Sequence, residues 1–378
     1  MNKEEFMDKY HLSNSDNINP YLAEWNKKCR QVRPVIPEQF SSTVCQSGKT
    51  AQIWVQSDAC RYSIAGACTC CDYFQGSRNV DQLKAFKQAL GKMRPDSDTI
   101  VLNTCGSVLD ETELKHKNLL RIMDAIHDTQ ITTLVLETHM GTVNDEVLSV
   151  INAHRGKLDI YFEIGIETLN DEVNRFILNK LPFDRDIKGI INLIHSWHFK
   201  VTGNVMTGFP FMSRDFQIED SYRTIKTLLA YGIDFMVLFP INIKRYTLMY
   251  KLYENHLYSV TDGRILTDIL LKFAPDELEC INVGWYGEPR IEIPGYSEND
   301  MVPPYYCENC HEKMMGLWLD YNCEYGGLRR LSLLKEMKTY KCRCNFGVVS
   351  GGQKMGIDYE ALDIAYQFLQ NEEMENKI

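Results

Sequence analysis

Between Ile53 and Phe239, short apolar runs alternate with amphipathic stretches, and the alternation repeats six times. This pattern predicts parallel strands joined by helices, because such strands are covered on both faces while each connecting helix buries one stripe. Strands are expected at 53–58, 99–103, 132–137, 159–165, 201–206 and 234–239, and helices near 79–93, 111–127, 144–153, 171–178, 184–197 and 217–231. Six βα units are too few to close an eight-unit barrel. They predict an α/β fold built as a partial (βα)6 barrel, open on one side.

The flanks read differently. Residues 1–50 are polar and irregular, with a short helix expected at Tyr21–Trp25 behind Pro20, and carry no evident chemistry. A division follows: 1–50 as an N-terminal leader, 51–260 as the partial barrel, and 261–378 as a cysteine-rich C-terminal extension.

Composition changes the picture only in part. Apolar residues at 44% and charged residues at 24% are ordinary for a soluble globular protein. A formal charge of −10 argues against a broad phosphate-binding surface, so nucleic acid is not the default partner. No run of about 18 apolar residues could cross a bilayer, and the first residues show no secretory pattern, so the expectation is a cytoplasmic protein with no membrane partner. In that compartment thiols stay reduced, so the 13 cysteines are better read as metal ligands than as disulfides. They cluster, with four in 60–71 and five in 307–344.

In βα barrels, chemistry gathers at the C-terminal strand ends. Here those ends carry Cys60, Cys68 and Cys71 after the first strand, then Thr104-Cys105-Gly106-Ser107, Glu137-Thr138-His139, Gly165-Ile166-Glu167-Thr168, Thr207-Gly208-Phe209-Pro210 and Pro240-Ile241-Asn242-Ile243-Lys244. Three close thiolates can ligate three irons of a 4Fe-4S cluster and leave the fourth iron open to a small molecule. Zinc is the competing reading, though structural zinc takes four ligands in closed geometry and Cys70 is poorly placed as the fourth.

With these residues in hand, the chain resembles the radical S-adenosylmethionine (SAM) superfamily, whose cluster cysteines follow the first strand of a six-unit partial barrel. Its common spacing is C-x3-C-x2-C. This chain keeps the second gap but has seven residues between Cys60 and Cys68. That longer gap, the stretch Phe162 to Val173 and the stretch Gly203 to Pro210 look more like the branch containing the elongator catalytic subunit and the archaeosine synthase radical SAM subunit.

The resemblance implies a 4Fe-4S cluster on Cys60, Cys68 and Cys71, with SAM chelating the open iron and reductive cleavage starting radical chemistry. It implies further that Gly106 and Ser107 meet the SAM methionyl amine, Glu167 the ribose, and Thr207, Gly208 and Pro210 the adenine. An electron donor such as flavodoxin or ferredoxin is implied as partner. Plainer readings stand beside these. Gly106 could serve only a tight turn, Glu167 could cap the helix beginning near Asn170, and His139 could be a substrate contact, a proton relay or an ordinary core histidine.

In the tail, Cys307, Cys310, Cys342 and Cys344 form a C-x2-C and C-x-C set suited to zinc or a second iron-sulfur cluster, against the alternative of free buried thiols. The expected function is a radical SAM enzyme acting on a small molecule or amino acid derivative. The alternatives are archaeosine-type tRNA nucleoside modification, weakened by the acidic charge, and a metal-stabilised scaffold or redox sensor, which would not need the polar strand ends.

Overall fold

The computed structural model describes residues 1–30, 42–74, 76, 80–284, 301–304, 306–340 and 355–375. An eight-stranded sheet forms its centre. In chain order the strands are β1 (Ser42–Ser47), β2 (Thr50–Val55), β3 (Thr99–Asn103), β4 (Thr133–Thr138), β5 (Asp159–Glu167), β6 (Lys200–Thr207), β7 (Phe235–Pro240), β8 (Ile243–Lys244), β9 (Ile281–Val283) and β10 (Met301–Val302). The large sheet runs β1-β2-β3-β4-β5-β6-β7-β9, while β8 and β10 pair separately. Only β1 is antiparallel to its neighbour; every other pair in the large sheet is parallel.

The six predicted strands are β2 to β7, the largest displacement being at β2, which spans 50–55 against the expected 53–58. The structure adds β9 at one edge and β1 at the other. Both are hard to read from sequence. β9 has three residues, and Ser42–Ser47 is mostly polar, held as a strand by its hairpin to β2.

Helices cover the outer face because their ends are specified locally. Asp81 caps 82–90, Asn144 caps 145–154, Asp186 caps 187–196 and Ser213 caps 214–230, each side chain accepting from a backbone N–H of the first turn. Their apolar stripes meet Ile53, Ile100, Leu102, Leu134, Leu136, Ile160 and Phe162, all buried, in one continuous core. The predicted helix at 111–127 starts only at His116, after turns built on Asp110 and Thr112.

The expectation of an irregular N-terminal stretch is corrected. Helices Lys3–Lys9 and Pro20–Cys29 place Phe6, Tyr10, Leu22 and Trp25 in a second core with Phe176, Tyr359 and Tyr366. Phe6 and Tyr10 are a single i,i+4 pair in a polar segment, and their partners lie on the C-terminal helix Tyr359–Glu375, far away in sequence. In the tail, the buried Arg330 donates to the carbonyls of Leu278 and Ile281 and to Asn282 Oδ1, tying helix Gly327–Thr339 to β9. No helix among the described residues is long and apolar enough to cross a membrane.

Candidate active site

The cysteine loop leaves β2 and is fastened from outside. Cys60 N–H donates to Tyr73 O at 3.0 Å, Cys68 N–H to Asn179 O at 3.1 Å, Thr69 N–H to Leu178 O at 2.9 Å and Cys71 N–H to Cys68 O at 2.9 Å. Asn26 Nδ2 donates to the carbonyls of Gly66 at 3.1 Å and Ala67 at 3.0 Å. Gly66 has φ +98° and lies against helix Pro20–Cys29 so closely that a Cβ would fall 2.5 Å from Ala23 O. Cys68 itself is left-handed at φ 58°, a conformation that a non-glycine residue keeps only when its surroundings enforce it.

The loop walls a cavity of about 190 Å³ at the C-terminal end of the parallel sheet. Cys60, Cys68 and Cys71 line it, together with Cys70, Cys105, Gly106, Glu137, His139, Glu167, Lys180, Asn204 and Lys244. Burial pushes the Cys60 thiol up, and pushes Cys68, Cys70 and Cys105 up to about 12, with neighbouring thiols adding to the effect at Cys68 and Cys70. Such thiols hold their protons until a metal displaces them. Among the described residues, no group of three or more His, Cys, Asp or Glu side chains closes on a single ion. A 4Fe-4S cluster asks for something else: soft thiols spread along one wall, each meeting its own iron. Three soft donors facing a shared cavity meet that requirement.

Gly106 touches this wall. A Cβ there would lie 2.7 Å from Cys60 Sγ and 2.6 Å from Glu113 Oε1, so its glycine is required by close approach to the first cysteine. Ser107, Thr207, Gly208 and Pro210 are not among the lining residues. Ser107 Oγ pairs with Thr138 Oγ1 at 2.7 Å and Thr142 Oγ1 at 2.8 Å, and Gly208 O accepts from the hydroxyls of Tyr258 and Thr261.

Glu167 lies at a bulge in the β5–β6 pairing with φ 64°, its Oε1 bonded to Lys180 Nζ at 2.6 Å and both side chains nearly buried. It is not the helix cap; Asn170 Oδ1 accepts from Glu172 and Val173 instead. Burial opposes the charge on Lys180, but Glu167 outweighs it and holds the ammonium up. Lys244 is likewise kept charged against burial by Asp72, 3.2 Å away, and lies over the Tyr73 ring. His139 stacks on Tyr62 with centroids 3.8 Å apart, and burial holds it well below its usual value, hence neutral. The sequence does not single out Lys180, which falls between the helices expected at 171–178 and 184–197, and Asn204 enters only as part of the stretch Gly203 to Pro210.

In the tail, Cys307 Sγ and Cys310 Sγ are 3.2 Å apart and buried at the start of helix Glu308–Cys323. Cys342 and Cys344 lie outside the described residues, so the four-thiol set stays an expectation.

No family model matches the sequence, and no curated protein matches it. Among solved structures, the archaeal Methanocaldococcus infernus Elp3 superposes with a TM-score of 0.51 at 14% identity, covering 79% of this chain and 65% of that one. The fold is a partial βα barrel of the kind seen in that Elp3 structure. The chain thus spans less than two thirds of the Elp3 structure. Weaker likenesses include a queuine lyase from Clostridium spiroforme bound to SAM and queuine, at 23% identity and TM-score 0.40, covering 53% of this chain and 80% of that one. HydG, a maturase of the [FeFe]-hydrogenase, gives 10% identity and TM-score 0.46, covering 86% of this chain and 81% of that one.

Proposed function

We propose that this partial barrel is a radical SAM enzyme, in which Cys60, Cys68 and Cys71 hold a 4Fe-4S cluster and SAM fills the adjoining cavity. The observation that carries the reading is the shared cavity: three thiols, the glycine packed on Cys60, and the Glu167–Lys180 pair all line one space at the C-terminal sheet edge. The bound cluster supplies one electron for reductive cleavage of SAM, and the cofactors carry the radical chemistry.

The chain's own residues do the rest. The loop fastened by Asn26 and Asn179 fixes the thiols. Gly106 lets the segment just after β3 pack directly against Cys60. Glu167 offers an acceptor oxygen to the ribose, and the bond from Lys180 orients its carboxyl. A small molecule or amino acid derivative is the substrate class, in keeping with a net charge of −10 that disfavours a polyanion. A flavodoxin or ferredoxin type protein delivers the electron.

The test is anaerobic reconstitution with iron and sulfide, followed by dithionite and SAM. The wild type should release SAM cleavage products, and Cys60→Ala, Cys68→Ala and Cys71→Ala should each lose both the cluster absorbance and product formation. A wild-type protein that takes up four irons yet leaves SAM intact would sink the reading.

A further inference from the structure

Counting donors and acceptors around the cavity leaves one carboxyl unassigned. Glu167 Oε2, Asn204 Oδ1 and His139 Nε2 are buried with no hydrogen-bond partner among the described residues, and all three residues line the cavity; the first two are acceptors. Glu137 lines it too: Asn103 Nδ2 donates to its Oε2, and no other hydrogen bond or ion pair reaches this carboxyl among the described residues. The two lysines facing the cavity are already engaged, Lys180 by Glu167 and Lys244 by Asp72. The ligands must therefore bring the donors, because buried acceptors left without them are costly.

Two of the three acceptors suit SAM, on the reading proposed above. Glu167 on β5 and Asn204 on β6 belong to adjacent strands, with Asn204 in register with Gly165, so they can meet the two hydroxyls of one ribose. Glu137 stands one strand further on, at the end of β4, and SAM's diol is by then satisfied. Neither nearby ammonium group pairs with it directly, since Lys180 is bonded to Glu167 and Lys244 to Asp72. Burial drives its pKa up, and the Asn103 bond and the charges of Lys244 and Lys180 offset this only in part, so a cation arriving in the cavity would favour its ionised form.

We propose that Glu137, steadied by Asn103, receives a protonated amine of the substrate. This rests on the radical SAM reading for the position of SAM, and it narrows the substrate class to amines.

The test uses the reconstituted, SAM-loaded protein with n-butylammonium as probe and butyrate as its anionic counterpart, binding being followed by ligand-detected NMR. The wild type should bind butylammonium in preference to butyrate, and Glu137→Gln should weaken the amine by about tenfold, the order expected for a charged hydrogen bond. Asn103→Ala should weaken it less, by releasing the carboxyl rather than removing it. SAM affinity should stay within about twofold of wild type in both variants, since no SAM contact is lost. Equal binding of the two probes, an unchanged amine affinity in Glu137→Gln, or a loss of SAM affinity in its place would overturn the assignment. Failure of the enzyme reading looks different: SAM would remain uncleaved while the amine still bound in a Glu137-dependent way.

Discussion

Gly106 and the Glu167–Lys180 pair show how little separates a structural residue from a functional one in this cavity. A methyl group on Gly106 would enter the space between Cys60 Sγ and Glu113 Oε1, where neither can move freely: Cys60 is buried, and Glu113 is held by Ser107 N–H at 3.1 Å. Gly106→Ala should therefore cost about 1–3 kcal/mol of stability by overpacking and displace the Cys60 thiol. Iron content after reconstitution should fall while the far-UV spectrum stays native. A variant that loads iron like wild type would show that the glycine serves only the turn. At Glu167, Glu167→Gln would leave Lys180 buried without its counter-charge; breaking a buried pair from one side typically costs about 3–5 kcal/mol. The double variant Glu167→Gln, Lys180→Met should recover much of that stability without recovering SAM binding, which separates the pair's structural role from its role toward ribose.

The cysteine loop belongs to the scale of elements, because its shape is imposed by helix Pro20–Cys29 and by the segment ending at Asn179. Asn26 Nδ2 reaches the Gly66 and Ala67 carbonyls, and Asn179 Nδ2 reaches Gly66 O from the other side at 3.3 Å. Asn26→Ala leaves these buried carbonyls without that donor, a loss of about 1–3 kcal/mol. It should show as a lower denaturation midpoint in the apo protein and faster iron loss in the reconstituted one; equal iron retention would confine Asn26 to general stability. This brace also marks where sequence reading stops. The strands β2 to β7 were legible because period and length are local properties of a few residues. The three cysteines were legible because thiols so closely spaced have few other uses. Asn26 and Asn179 gave no signal, since an asparagine that caps a distant loop looks like one that faces water. The antiparallel β1 and the short β9 were missed for a related reason, their strand character coming from neighbours rather than from their own pattern.

At the scale of the whole molecule, the first and last helices among the described residues pack together. Lys9 Nζ at the end of the first helix and Tyr10 Oη just past it both bond Asp363 on the last, at 2.7 Å and 2.6 Å. Phe6, Tyr10, Trp25 and Tyr366 fill the space between, with ring centroids of Phe6 and Tyr366 5.0 Å apart. Burial alone would raise the Asp363 pKa, but the bonds from Lys9 and Tyr10 together outweigh it and hold the carboxyl below its ordinary value. The sign follows from that direction. A carboxyl whose folded pKa lies below the unfolded one contributes stability that is complete above the unfolded value, near about 4, and is lost as pH falls through the folded value. Asp363→Asn should thus destabilise the protein by about 2 kcal/mol at neutral pH, the order of a hydrogen bond to a charged group, reduced where Lys9 is partly exposed. The difference between wild type and variant should be constant from pH 8 to 5 and shrink below about 4 as Asp363 itself takes up a proton. Denaturation midpoints measured across that range decide it. A gap that persists undiminished in acid would mean that the clasp works through the aromatic packing of Tyr10 and Tyr366, with the charge on Asp363 contributing nothing.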